Sequence, residues 1–199
     1  LEEIGCAYER VFVDRTVDAH KSPEYLRLNP NGLLPVLEDG ELVLYETAAI
    51  VLHLCDTHPD AGLAPPLGSH ERAQFYKWLM WFGNTLQTTL IVYFYPFRWM
   101  DEGNEAGAHE LQRHAESRIA ALLAQADAHL AGHGGPWFMG QAYTALDAYV
   151  FTLCRWTRNF RREPPARELP HLGPYLRRML ERAAVQRVIA NEKLAAPLV

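Results

Sequence analysis

Apolar positions along this chain follow two periods, and the change from one to the other falls near residue 60. Residues 8–14 alternate enough between apolar and polar to predict a strand. Val36 and Leu37, then Leu42, Val43 and Leu44, flank Asp39-Gly40, which predicts a hairpin closed by a two-residue Asp-Gly turn. Pro35 precedes that hairpin directly, where a residue unable to donate to a ladder belongs. Leu1 to Gly5 reads as the last turn of an amphipathic helix ended by glycine. Ser22-Pro23-Glu24 predicts a helix start, with proline at the first helical position. Another helix opens at Glu46-Thr47. Ala48, Ile50, Val51, Leu52, Leu54 and Cys55 make it apolar on most sides and so buried, and Pro59 stops it near His58.

Beyond residue 58 the strand signals vanish. Residues 59–69 are rich in proline and glycine and predict a linker between a domain of residues 1–58 and one of residues 70–199. Ile119, Leu122, Leu123, Ala126 and Leu130 recur at helical spacing, as do Leu172, Tyr175, Leu176, Met179 and Leu180, so the second domain is expected to hold about five helices. Thr144 and Asp147 have the spacing of a capping box, a structural device worth about 1 kcal/mol or more, and Asp147 is assigned no catalytic role.

Composition narrows the function. The 199 residues are 49% apolar and 22% charged, ordinary for a globular enzyme. No apolar run is long enough to span a membrane, and residues 90–97 are both too short and interrupted by Pro96. No secretory signal is visible at Leu1 to Gly5. Cys6, Cys55 and Cys154 form no close pair and predict reduced thiols in a cytoplasmic setting. A net charge of -5 argues against nucleic-acid binding. No metal site is expected, because Gly132, Gly134 and Gly135 surround the second member of the His129 and His133 pair. Arg155, Arg158, Arg161 and Arg162 read as favourable charge at a helix carboxyl end.

The candidate chemistry lies in Asn29-Pro30-Asn31-Gly32-Leu33-Leu34-Pro35 and in Glu46-Thr47. A cis Leu34-Pro35 bond would turn the carbonyl and amide of Leu34 outward, free to pair with a peptide-like ligand as another strand would. Free amides at a helix start, with the helix dipole behind them, suit a carboxylate, and the Glu46 side chain suits an ammonium. The plainer alternative is that Thr47 only caps its helix.

This order of strand-initiating proline, hairpin and acidic-hydroxyl pair resembles the amino-terminal domain of the cytosolic glutathione S-transferase superfamily, as a bacterial-type member of unassigned class. The Thr144-x-x-Asp147 box matches the family's second domain. The resemblance implies an α/β thioredoxin-like domain followed by an all-α domain. It implies that Pro35 is cis, that the Leu34 backbone binds the cysteinyl part of glutathione, and that Glu46 and Thr47, where relatives have Glu-Ser or Gln-Ser, bind its γ-glutamyl end. His20 or Lys21 would meet the glycyl carboxylate, His20 being favoured by the family's His-x-x-Pro pattern. In the family the strand at residues 8–14 is the second of a βαβ unit. The first strand, most of the first helix (roughly 20 residues) and the catalytic Tyr, Ser or Cys are therefore expected upstream of Leu1.

The implied protein is a cytoplasmic homodimer acting in detoxification, with glutathione as co-substrate, neither nucleic acid nor membrane as partner, and a small hydrophobic electrophile as second substrate. Trp78, Trp81, Phe82 and residues 91–99 hold an unusual share of the aromatics. Most of these serve the helical core or a dimer contact on the simpler view, and Tyr93 and Phe97, one turn apart, are the expected pocket face. Two functions follow: an enzyme directing the glutathione thiolate at an electrophilic carbon, a disulfide or a peroxide, or a non-catalytic adaptor or regulatory protein that keeps the fold. Glu46 and Thr47 favour the enzyme, since an adaptor needs no γ-glutamyl site.

Overall fold

The computed structural model describes all of residues 1–199, which divide into two compact units, Leu1–Gly62 and Leu63–Val199. The first unit opens with a single helical turn: the amides of Ile4 and Gly5 both donate to the Leu1 carbonyl at 3.0 Å. Gly5, at φ +74, ends it in the left-handed region. Residues 8–14 do not form the expected strand. A strand exists by pairing, the sheet of this unit has two strands drawn from elsewhere, and Val11 and Phe12 lie exposed.

Two 3-10 turns follow, Arg15–Val17 and Ala19–Lys21, joined at Asp18. Helix α1, Pro23–Leu28, starts where Ser22 accepts the Tyr25 amide on its hydroxyl at 3.1 Å. Strands β1, Val36–Asp39, and β2, Leu42–Tyr45, pair antiparallel with Val36 opposite Tyr45 and Asp39 opposite Leu42. The hairpin loop is therefore Gly40-Glu41, one residue later than the predicted Asp-Gly turn. Gly40 takes φ +60 and Glu41 does not turn positive, the pattern of a II′ turn with glycine at its first central position. Helix α2, Thr47–Thr57, buries Ile50 and Cys55 and ends at His58, whose amide donates to the Leu54 carbonyl.

The division after Gly62 falls within residues 59–69, and residues 63–69 are tied to the second unit. The Leu63 carbonyl accepts the Ala145 amide at 2.8 Å, the Pro65 carbonyl accepts from Arg72 at 3.0 Å, and the Ser69 hydroxyl caps the next helix at the Arg72 amide. Helix α3, His70–Trp81, runs through a π-helical turn, Phe82–Gln87, straight into α4, Thr88–Phe94. A π turn makes i→i+5 bonds and holds one residue more than an α turn. Here Gly83 leaves room for Tyr149, whose hydroxyl would stand 3.3 Å from a Cβ at that position and donates to Gln87.

Helix α5, Glu105–His133, is capped by Asn104 and ends at Gly134 in the left-handed region. Helices α6, Ala145–Trp156, α7, Leu172–Leu180, and α8, Ala183–Asn191, complete the unit. With residues 70–94 as one rod, this is the five-helix count that the spacing predicts. Phe75, Leu79, Phe82, Leu86 and Leu90 from that rod, Ile119 and Leu123 from α5, Leu146 and Leu153 from α6, and Leu172 and Tyr175 from α7 are buried almost completely. Each aliphatic or Phe side chain among them contributes about 1.5–3 kcal/mol by leaving water.

Asp147 lies at the centre of this core, fully buried. Its Oδ2 accepts the Thr144 amide at 2.8 Å and hydroxyl at 3.2 Å, and its Oδ1 accepts the Phe138 amide at 2.7 Å and the Tyr175 hydroxyl at 2.9 Å. The capping box is therefore one half of a wider knot. Burial pushes the Asp147 carboxyl above its ordinary value, and the four donors work against that shift.

Candidate functional site

Leu34-Pro35 enters β1 just before Val36, and Glu46 leaves β2 just after Tyr45. Because Val36 and Tyr45 are cross-strand partners, these two segments lie side by side at the open end of the hairpin. The Leu34-Pro35 bond is cis. Leu34 makes no backbone hydrogen bond and is 44% exposed, so one amide and one carbonyl stand open at a strand end.

The residue before it is held firmly. The Leu33 carbonyl accepts both the Tyr25 hydroxyl at 2.7 Å and the Asn29 side-chain amide at 2.8 Å, and Asn29 Oδ1 accepts the Asn31 amide at 3.0 Å. Burial pushes the Tyr25 phenol up, which keeps it a donor. Loops that position ligand groups need such support, because a backbone site works only where its geometry is fixed.

Glu46 caps α2 with its backbone alone, at φ 74 and ψ 108, a sparsely populated region for any residue but glycine. Its carbonyl accepts the Ile50 amide at 3.0 Å, while its side chain is exposed and makes no capping bond. Thr47 is the first helical residue rather than the cap, so the plainer alternative of a capping hydroxyl does not hold. The amides of the first turn of α2 have no intrahelical acceptor and face outward with the positive end of the helix dipole.

The 3-10 turn Ala19–Lys21 brings up His20 and Lys21. Gly32 abuts this turn so closely that a Cβ there would lie 3.1 Å from the His20 carbonyl, and Gly32 also needs φ +61. His20 is largely buried and Lys21 exposed, and both face Asp18: Lys21 Nζ at 3.2 Å and His20 Nε2 at 3.9 Å from its Oδ1.

Tyr93 and Phe97 part company in the second unit. Helix α4 stops at Phe94, and Pro96 starts a separate 3-10 turn, so the two residues do not share the helical face expected of them. Tyr93 packs its ring 4.4 Å from that of Phe160, while burial, and to a lesser degree Glu116, hold its phenol above the ordinary value. Phe97 is 63% exposed and lines a concavity of about 350 Å³ with Met100 and Ala108. Tyr93 does not reach it.

Residues 1–56 match the family model for the glutathione S-transferase N-terminal domain, and residues 91–192 match that for the C-terminal domain, which alone spans more than half the chain. The chain belongs to the glutathione S-transferase family. It is 32% identical over 174 residues to a glutathione S-transferase of Xanthomonas campestris pv. campestris, covering 87% of this chain and 82% of that one. It is 31% identical over 197 residues to one of Escherichia coli O157:H7, covering 98% and 91%. The crystal structure of a glutathione transferase homologue from Sulfitobacter, with bound glutathione, superimposes with a TM-score of 0.85 at 25% identity, covering 97% of this chain and 90% of that one.

Leu34, Lys21 and Glu46 are exposed, whereas His20 is largely buried. Tyr25, Asn29 and Asp18, which bond to the segments around them, are not among the residues expected to meet the ligand. Asn29 carried a usable signal, since an Asn that opens a Pro-Asn-Gly turn commonly bonds the backbone two residues on, as it does here. Tyr25 carried none, because its bond to Leu33 depends on how α1 lies against the following loop.

Proposed function

We propose that this glutathione transferase binds glutathione in its first unit, with each part of the tripeptide matched to one of the three groups described. The γ-glutamyl carboxylate meets the free amides and the Thr47 hydroxyl at the start of α2, and its ammonium meets Glu46. The cysteinyl residue pairs with the open amide and carbonyl of Leu34, next to Pro35. The glycyl carboxylate meets Lys21 and His20. The single observation that carries this reading is the side-by-side placement of an unpaired Leu34 backbone and an unpaired helix start, held together by the Val36 and Tyr45 pairing.

The chemistry follows from the ligand. The thiolate is the reactive form of glutathione, and fixing it between oriented dipoles beside a second substrate removes much of the entropic cost of their meeting. The sulfur then bonds to an electrophilic carbon, the leaving group departs, and the thiol proton goes to solvent or base; a disulfide or peroxide is the alternative acceptor. The exposed Phe97 supports a small hydrophobic second substrate. The free Cys6, Cys55 and Cys154 support a reducing, cytoplasmic setting, and the homodimer and a detoxifying role come from the family resemblance.

Calorimetric titration of reduced glutathione into the protein and into Glu46→Ala tests the site, with conjugation to a chlorinated dinitroaromatic electrophile followed in parallel. Saturable binding that weakens at least several-fold in the variant, with the melting temperature kept, is the expected result. Equal affinity in the two proteins would remove Glu46 from the site.

A further inference from the structure

We infer that Asp18 is a built-in competitor for the Lys21 ammonium that holds the glycyl end of glutathione, and that its carboxylate sets how tightly that end is bound. The inference rests on the placement of His20 and Lys21 in the proposed site.

Asp18 joins the two 3-10 turns at φ 54, a left-handed conformation that Asp and Asn adopt more readily than other residues with a side chain. Its amide donates to the Arg15 carbonyl at 3.3 Å and its carbonyl accepts the Lys21 amide at 2.8 Å, so the backbone on both sides is fixed. That geometry places Oδ1 3.2 Å from Lys21 Nζ and 3.9 Å from His20 Nε2. The carboxylate thus occupies the Lys21 ammonium, and lies near the His20 ring, to which the glycyl carboxylate is assigned. The Asp18 and Lys21 side chains are 65% and 66% exposed, so water screens the pair and it yields at small cost. With glutathione bound, two carboxylates converge on one ammonium, and their repulsion falls on the glycyl end alone.

Asp18→Asn keeps a residue that tolerates the left-handed turn and removes only the charge. Calorimetry at low salt is run with glutathione and with its glycyl ethyl ester, on the parent protein, on Asp18→Asn, and on that variant combined with Lys21→Ala. Glutathione is expected to bind Asp18→Asn about two- to five-fold more tightly, the range an exposed ion pair commands. The ester should gain nothing, and Lys21→Ala should abolish the gain. Unchanged or weaker glutathione binding by Asp18→Asn, or an equal gain for the ester, overturns the inference. Failure of the underlying placement looks different: Lys21→Ala and His20→Ala would each keep the parent's ratio of affinities for glutathione and ester, and the role of Asp18 would fall with it.

Discussion

The Tyr25 hydroxyl donates to the Leu33 carbonyl at 2.7 Å, so a side chain buried in α1 fixes the peptide that leads into Leu34-Pro35. The site's most exposed backbone is in this way steered from the interior. Asn29 makes a second bond to the same oxygen.

Tyr25→Phe removes one of the two donors while keeping the ring and its packing. A net loss of about 0.5–1.5 kcal/mol is expected from one such bond. Because Asn29 remains, the loop should loosen rather than unfold. Glutathione affinity measured by calorimetry should fall a few-fold while the melting temperature drops by about 1–6 °C, and an unaltered affinity would mean that Asn29 alone sets the loop.

Glu46→Gly should separate stability from binding. A residue other than glycine at φ 74 costs on the order of 1–3 kcal/mol, and glycine relieves that cost against an unfolded-state penalty of about 0.5–1 kcal/mol. The melting temperature is expected to rise by about 2–4 °C, the shift that about 1 kcal/mol produces in a chain of this size, while glutathione binding weakens. A lower melting temperature would show that the surroundings do not strain this residue.

Asp147→Ala leaves the amides of Thr144 and Phe138 without their buried acceptor and the Tyr175 hydroxyl with only the backbone carbonyl of residue 147, at 3.3 Å. About 3 kcal/mol or more of stability should be lost, against about 1 kcal/mol for Thr144→Ala. Denaturant unfolding of the two variants should show that order. Equal losses would place the stability in the cap alone and leave the wider knot without weight.

His129 should give the protein an acid-sensitive step. Its ring lies 4.5 Å from that of Trp78 and 4.8 Å from that of Phe138, and its Nε2 donates to the Phe138 carbonyl at 2.9 Å. Burial holds this imidazole below its ordinary value, the Phe138 bond opposes the shift, and His133 and Lys77 add to it. The folded form therefore binds the proton less readily than the unfolded chain. The stability tied to His129 is present in full above about pH 6.5 and is lost as the pH falls from there toward the lower folded-state value. Melting curves of the parent and His129→Gln between about pH 5 and 8 should converge on the acid side. Parallel curves would mean that His129 does not titrate on unfolding.

What was legible in the sequence is what local chemistry dictates. Ser22-Pro23 started α1, Pro59 stopped α2, Thr144 and Asp147 opened α6, and Leu34 and Glu46 stood out because proline and a helix start restrict the backbone wherever they occur. Residues 8–14 had the alternation of a strand but not the partner that would make one. The hairpin loop slipped by one residue because Gly40, not Asp39, meets the demand for a positive φ. The spacing puts Phe97 one helical turn from Tyr93, yet the helix between them ends first. Tyr25, Asn29 and Asp18 act across turns whose course no periodicity records.

The π turn at Phe82–Gln87 bears on how this fold can vary in length. An α-helix rotates by about 100° per residue, so the surplus residue held there fixes the azimuth of everything downstream. Deleting it would leave the rod of residues 70–94 unbroken and swing Tyr93 and Phe94 about a quarter turn around its axis. Tyr149, wedged against Gly83 and bonded to Gln87, acts as the pin that keeps the surplus in place. One insertion or deletion at this point would re-aim the aromatic end of α4 without altering a single aromatic residue.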